Sequence, residues 1–317
     1  MGVVLTERKK VIARQGSLRC LPPGCCDRLL SRLRLAKGRL CLMLGVSTAF
    51  GFLLASPGLS PGLLVVSAGV TLLAGGAATL NSLQEWRRDA LMRRTGNRPL
   101  PRGELRPGQA LGQSLALIAA GLLLLALSSG PQPFVAGLLA LLLYNGVYTP
   151  LKERTLLAIV PGALCGSLPP VIGWLAAGGP LESPTVLLIM LLLVLWQIPH
   201  SWLVMLMYRD DDHARRMPNN MLHHLSEPVL RRLLVPWVAA LAAAMALFCL
   251  PPVSPGGLIR ATLLLPTAFL LVLFFGQTFF AFFRNDRVLF ISLNAVFFFN
   301  MLVICGARVS LASSAGY

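Results

Sequence analysis

Hydrophobic residues run along this chain in long, nearly uninterrupted blocks, and the polar residues collect in the gaps between them. The strict alternation of a half-buried strand does not describe these blocks, and neither does the 3.6-residue stripe of a soluble amphipathic helix. Each is long enough to cross a bilayer, whose hydrocarbon core takes roughly 20 mostly apolar residues in helical form. Nine are legible, over about 38–57, 62–82, 109–128, 132–150, 156–178, 184–207, 232–251, 257–283 and 287–306. The fold expected is therefore all-α: a polytopic membrane protein with nine transmembrane helices. Three parts follow along the chain, a basic N-terminal arm over 1–37, a membrane domain over 38–306 and a short tail over 307–317. The arm lacks an apolar run long enough for a signal peptide, so it is expected to be retained at the membrane surface.

Composition agrees with this pattern. Of 317 residues, 56% are hydrophobic and 13% charged, against about 25% charged in soluble domains. A net charge of +16 in a soluble chain would point to nucleic acid. Here the basic residues are confined to the gaps, which argues for membrane orientation and against a nucleic-acid partner. All of the 28 Lys and Arg residues except Arg260 and Arg308 fall on the side that holds the N-terminus and the even-to-odd loops. That side is expected to be cytoplasmic in a cell membrane, with the C-terminus outside. Every acidic residue but Glu182 lies on the same side, although acids contribute little to orientation. Seven cysteines show no metal-ligand spacing and read as free thiols.

The junction after the second block is the richest stretch. If that helix runs past the interface, Asn81, Glu85 and Asp89 fall at i, i+4 and i+8 on one stripe, drifting about 40° and rising about 6 Å per step. Such an array of oxygen donors suits Mg²⁺, which takes one or two carboxylates and completes its shell with water and substrate phosphate. Arg94 and Arg98 follow closely and are suited to phosphate oxygens. The competing reading is a solvated helix end whose acids pair with nearby arginines. A second acidic cluster, Asp210-Asp211-Asp212, emerges after the sixth block on the same face. Adjacent aspartates repel, a cost that a bound cation removes. Two acidic clusters beside an apolar bundle describe a site for a diphosphate with a hydrocarbon tail; the competing reading of the second is an acidic loop balanced by Arg209, Arg215 and Arg216.

These residues resemble the UbiA-type intramembrane prenyltransferases, and among them the protoheme IX farnesyltransferase branch, over about residues 35–305. The resemblance is carried by Asn81, Glu85, Asp89, Met92, Arg94, Thr95, Arg98, Pro99, Leu100 and Gly103, by Tyr148-Thr149-Pro150-Leu151-Lys152, by Pro161-Gly162-Ala163 and Leu168-Pro169-Pro170, and by Trp196-Gln197-Ile198-Pro199-His200. The second acidic motif departs from the branch at Asp212, Arg216, Asn219 and Asn220.

The resemblance implies a nine-helix prenyltransferase bundle that transfers farnesyl from farnesyl diphosphate to the vinyl group of haem B, with water adding and pyrophosphate released. It implies Mg²⁺ on Asn81, Glu85 and Asp89 together with Asp210 and Asp211. Arg94, Arg98 and Lys152 would bind the diphosphate, with Tyr148 beside Lys152 in the catalytic set, and His200 would hold the acceptor. Trp174, Trp196 or Trp202 would face the allylic cation. A haem-modifying enzyme downstream is the implied protein partner. An aromatic acid or quinone precursor is the alternative acceptor. A transporter is the alternative from another class, opposed by the lack of acidic or basic residues in the middle of the spans. From the residues alone, His200 inside an apolar span reads equally as a ligand or as a hydrogen-bonding group within the bundle. Asn145, Asn294 and Asn300 read as interhelical hydrogen-bonding residues.

Overall fold

The computed structural model describes residues 25–128, 130–211, 220–250, 257–280 and 283–314. Asp212, Arg216 and Asn219, singled out above, lie outside the described residues, as do the first 24 residues of the arm. Among the described residues there are helices and no strands, and nine helices are long and apolar enough to cross a membrane. These are α1 (Gly38–Ala55), α2 (Pro61–Asp89), α3 (Pro107–Ala126), α4 (Gln132–Leu151), α5 (Leu156–Ala176), α6 (Pro184–Met207), α7 (Glu227–Leu247), α8 (Gly257–Phe279) and α9 (Asp286–Ser314).

Local chemistry sets several boundaries. Helix α2 starts at Ser60-Pro61, where the Ser60 hydroxyl accepts from the Leu63 N–H and the proline occupies the first turn, where its missing donor costs nothing. Ser183-Pro184 opens α6 in the same way. At its far end α2 runs on to Asp89, so the stripe of Asn81, Glu85 and Asp89 is helical throughout. Two ends differ from expectation. Helix α7 begins at Glu227, five residues before the apolar block, because Glu227 and Arg231 pair at i, i+4 and extend the helix into polar sequence. Residues 307–314, expected as tail, continue α9. There Arg308, one of the two basic residues on the far side, donates to the Leu54 carbonyl at the C-terminal end of α1.

Lipid supplies no hydrophobic drive between helices, so close approach and polar links do more of the work. A Cβ placed on Gly51 of α1 would collide with the Pro170 carbonyl of α5, and one on Gly173 with the Thr48 carbonyl; the two helices meet backbone to backbone. Gly76 and Gly121 do the same between α2 and α3. The three intramembrane asparagines bond across helices as expected: Asn145 donates to Ala77 and Gln84 of α2, Asn294 faces His200, and Asn300 donates to Thr267.

Helix α4 carries a π segment over Leu142–Tyr148. Pro150 follows, with no N–H to give and a ring that would strike the carbonyl one turn back. The wider turn accommodates it: the Thr149 N–H and hydroxyl both reach the Tyr144 carbonyl. Inserted π turns of this kind recur at functional sites.

Candidate active site

The C-terminal ends of α2 and α4, with the loops that follow them, build one polar cluster. The Glu85 carboxylate meets Lys152 Nζ at 2.7 Å. Asp89 Oδ2 meets Arg98 Nη1 at 2.5 Å. Asn81 accepts from Lys37 Nζ at 3.2 Å through Oδ1, and its amide nitrogen donates to Glu85 at 3.0 Å and to Thr149 at 3.1 Å. Lys152 also lies 5.0 Å from the centre of the Tyr148 ring. Arg88 and Glu153 form a further pair that ties the end of α2 to the exit of α4.

These groups are buried, contrary to the solvated helix end that the sequence left open. Asn81 is 1% and Asp89 2% exposed. The pairing part of that reading does occur, with Lys152 and Arg98 as the partners. Burial pulls the Lys37 ammonium down to about 8, and the charges of Arg98 and Lys152 add to the effect against Glu85 and Asp89. Burial also lowers Lys152, with Glu85 opposing it.

The loop after α2 holds its shape through a small core of its own. Leu100 and Leu105 pack with Leu35 and Ala110, which seats the loop between α3 and the short helix over Cys25–Leu35. Thr95, 1% exposed, donates to the Asp89 carbonyl, and Gly103 takes φ 71, a backbone angle that suits glycine. Thus Thr95, Leu100 and Gly103 are scaffolding that aims Arg98 at Asp89.

The first residues after α6, Tyr208–Asp211, dock on the same scaffold. Asp211, 4% exposed, accepts from the Arg93 backbone N–H at 2.8 Å. Arg94 reaches over the Tyr208 ring, 5.7 Å from its centre, and Asp210 is exposed. Among the sequence-derived site residues, Asn81, Glu85, Asp89, Arg98, Tyr148 and Lys152 therefore stand together. Arg94, Asp210 and Asp211 stand at the joint between the two loops. Among the described residues, no three His, Cys, Asp or Glu side chains gather closely enough to hold a metal ion by themselves.

Magnesium asks for less than that. One or two carboxylates plus an amide oxygen match its habit of leaving positions to water and phosphate. One oxygen of each stripe residue already faces a cationic group, Lys37 at Asn81, Lys152 at Glu85 and Arg98 at Asp89, so the array is one that positive charge stabilises. The donor set fits Mg²⁺.

His200 lies deeper, its ring tilted against those of Trp196 and Phe290 with ring centres at 4.6 and 4.8 Å. Its Nδ1 is 3.0 Å from Asn294 Oδ1, while the Asn294 amide nitrogen donates to the Phe290 carbonyl. Asn294 thus offers only an acceptor, which assigns the proton to Nδ1 and leaves the lone pair on Nε2. Of the three tryptophans, Trp174 donates to the Pro180 carbonyl in the loop after α5, at the end of the bundle away from the acidic stripe. Lys37 and Thr149 join the polar cluster, and the sequence reading gave neither of them a role. Lys37 sat in a segment read as a surface arm, and its only local signal was a basic residue against the first span.

Comparison with known proteins follows the same lines. The UbiA prenyltransferase family matches residues 44–302. A protoheme IX farnesyltransferase of Geobacter sulfurreducens is 41% identical over 220 residues, covering 68% of this chain and 79% of that protein. One from Nitratidesulfovibrio vulgaris strain DP4 is 38% identical over 222 residues, covering 70% and 77%. Among solved structures, one concerned with digeranylgeranylglyceryl phosphate synthase in membranes superposes with a TM-score of 0.69 at 14% identity, over 90% of this chain and 99% of that one. A UbiA homologue from Archaeoglobus fulgidus bound to GPP and Mg²⁺ gives 0.62 at 17% identity, over 88% and 99%. The likeness to the solved structures is one of fold; the family match spans most of the membrane domain, and this chain belongs to the UbiA prenyltransferase family.

Proposed function

We propose that this protein transfers the farnesyl group of farnesyl diphosphate to a vinyl carbon of protoheme IX (haem B), with water completing a hydroxyethylfarnesyl side chain. The acceptor and the farnesyl group follow the name of the relatives, protoheme IX farnesyltransferase. The observation that carries the site assignment is the array of Asn81, Glu85 and Asp89, each residue already matched by a cationic side chain from another segment.

In this reading Asn81, Glu85 and Asp89 hold Mg²⁺ from the α2 side, with Asp210 and Asp211 contributing from the loop after α6. When bound, the ion supplies Lewis-acid neutralisation of the diphosphate leaving group. Lys152 and Arg98 exchange their carboxylate partners for phosphate oxygens, and Arg94 joins them from the loop joint. The Tyr148 ring fixes the Lys152 ammonium through its face. These cations take up charge as the allylic C–O bond breaks, which is stabilisation of a leaving group by groups already in place. The vinyl carbon forms the new C–C bond, the resulting porphyrin-stabilised cation takes hydroxide from water, and the proton is released. The buried setting keeps water from the allylic cation until that bond has formed.

Acceptor holding is assigned to His200, whose Nε2 lone pair is oriented by the Nδ1–H to Asn294 link, an arrangement suited to a metal-ligating imidazole. The protein resides in the cell membrane with the N-terminus and both active-site loops cytoplasmic and the C-terminus outside. A haem-modifying enzyme that consumes the product is its proposed partner.

The test is product mass. Purified protein in lipid, given Mg²⁺, farnesyl diphosphate and haem B, should yield one hydroxyethylfarnesyl haem per pyrophosphate. A prenylated aromatic acid with no haem product would overturn the acceptor in favour of the alternative.

A further inference from the structure

We propose that Lys37 is a direct ligand of the substrate diphosphate, a further cation of the site beside Lys152, Arg98 and Arg94. The inference rests on the diphosphate reading of the site given above.

Three observations carry it. The first is charge. Glu85 and Asp89 are each paired within the cluster, with Lys152 and Arg98. Lys37 makes no ion pair with any described residue, and its ammonium meets the neutral amide oxygen of Asn81 at 3.2 Å. A half-buried ammonium with three donors and a single neutral acceptor is an expensive group to maintain by itself. An anion placed against it removes that cost, and the diphosphate is the anion the neighbouring residues are arranged to bind.

The second is backbone geometry. Lys37 adopts φ 52, ψ 46, and it is the one non-glycine residue with positive φ among the described residues. A lysine in this region is strained, and strain of this kind persists where the surroundings over-determine it. Glycine would relieve it, and Gly38 is the very next residue. The strained angle is spent on the side chain that points into the site.

The third is fixation. Leu35 and Ala36, 1% and 8% exposed, seat the turn before Lys37. The Lys37 carbonyl accepts from the Leu40 and Cys41 N–H groups as α1 begins. The ammonium therefore hangs from a turn held at both ends, and it stands in place before substrate arrives.

Lys37→Gly separates this role from a structural one, because glycine suits the left-handed turn. The probe is farnesyl thiodiphosphate with Mg²⁺, titrated calorimetrically into wild type, Lys37→Gly and Lys37→Arg in the same lipid preparation, with thermal unfolding followed alongside. The expected result is a Tm for Lys37→Gly equal to or above wild type and at least about tenfold weaker binding, the loss of a hydrogen bond to a charged group. Lys37→Arg, which keeps the charge, should recover part of that affinity, and haem binding should stay within about twofold in both variants. Equal affinity of wild type and Lys37→Gly overturns the inference and leaves the diphosphate site standing. Failure of wild type itself to bind the probe overturns the site reading as well.

Discussion

Glu85 on α2 and Lys152 beyond α4 meet at 2.7 Å with 10% and 14% of their side chains exposed. Their contact joins two helix ends separated by a whole hairpin of membrane crossings, so it serves packing as well as chemistry. The two roles come apart in a double-mutant cycle. Glu85→Gln or Lys152→Met alone leaves a buried charge without its partner and should lower stability by about 1–3 kcal/mol. The double variant should regain most of that stability, since no orphan charge remains, yet turn over at least about a hundredfold more slowly. Recovery of activity in the double variant would make the pair purely structural.

Metal dependence gives a second expected outcome. Chelation should abolish turnover of wild type, and added Mg²⁺ should restore it. Asp89→Asn should need a higher Mg²⁺ concentration for half-maximal rate, because one carboxylate of the stripe is lost while Thr95 and Leu100 still seat the loop. An unchanged Mg²⁺ dependence would remove Asp89 from the ligand set.

At the loop after α6, Asp211→Asn should weaken use of farnesyl diphosphate more than Asp212→Asn does. Asn retains an oxygen for the Arg93 N–H, so the loop stays docked and only the charge is lost. Asp211→Ala should cost more again, by undocking the loop. Equal KM values for all three variants at fixed Mg²⁺ would mean that the loop acts as a diffuse negative patch.

His200→Ala should lose haem absorbance from the purified protein and leave farnesyl diphosphate affinity nearly unchanged. Asn294→Leu should weaken haem binding by about tenfold or more without removing the ligand, since only the orienting acceptor is gone. Loss of thermal stability with an intact haem spectrum in His200→Ala would reduce the residue to a link between α6 and α9.

Reporter fusions inserted at Gly103 and Gly179 should read opposite sides of the membrane, cytoplasmic for the first and external for the second. The same compartment for both would break the nine-span topology.

All nine spans and the stripe on α2 could be read from residue order, because hydropathy and helical spacing are local properties. So could the three intramembrane asparagines, whose polar groups in lipid must find partners. What residue order did not reveal is which cation faces which acid. Lys152 meets Glu85 and Arg98 meets Asp89 through tertiary approach, and no spacing rule distinguishes that from the reverse. The site's burial was hidden for a related reason: Leu35, Leu100 and Leu105 are scattered in polar sequence, and they form a core only once the loop after α2 folds back. Lys37 escaped notice because its significance lies in a backbone angle, which side-chain identity does not announce. The reach of α9 past residue 306 escaped because a helix can continue through weakly polar sequence once one face is anchored, here by Arg308 on α1.

The glycine seam between α1 and α5 has a mechanical consequence. With Gly51 against Pro170 and Gly173 against Thr48, any side chain larger than hydrogen at either glycine would force the two helices apart. Lys37 stands at the N-terminal end of α1, so the spacing of that seam also sets where its side chain lies. A larger residue at Gly51 or Gly173 would therefore disturb the polar cluster through α1 without touching it.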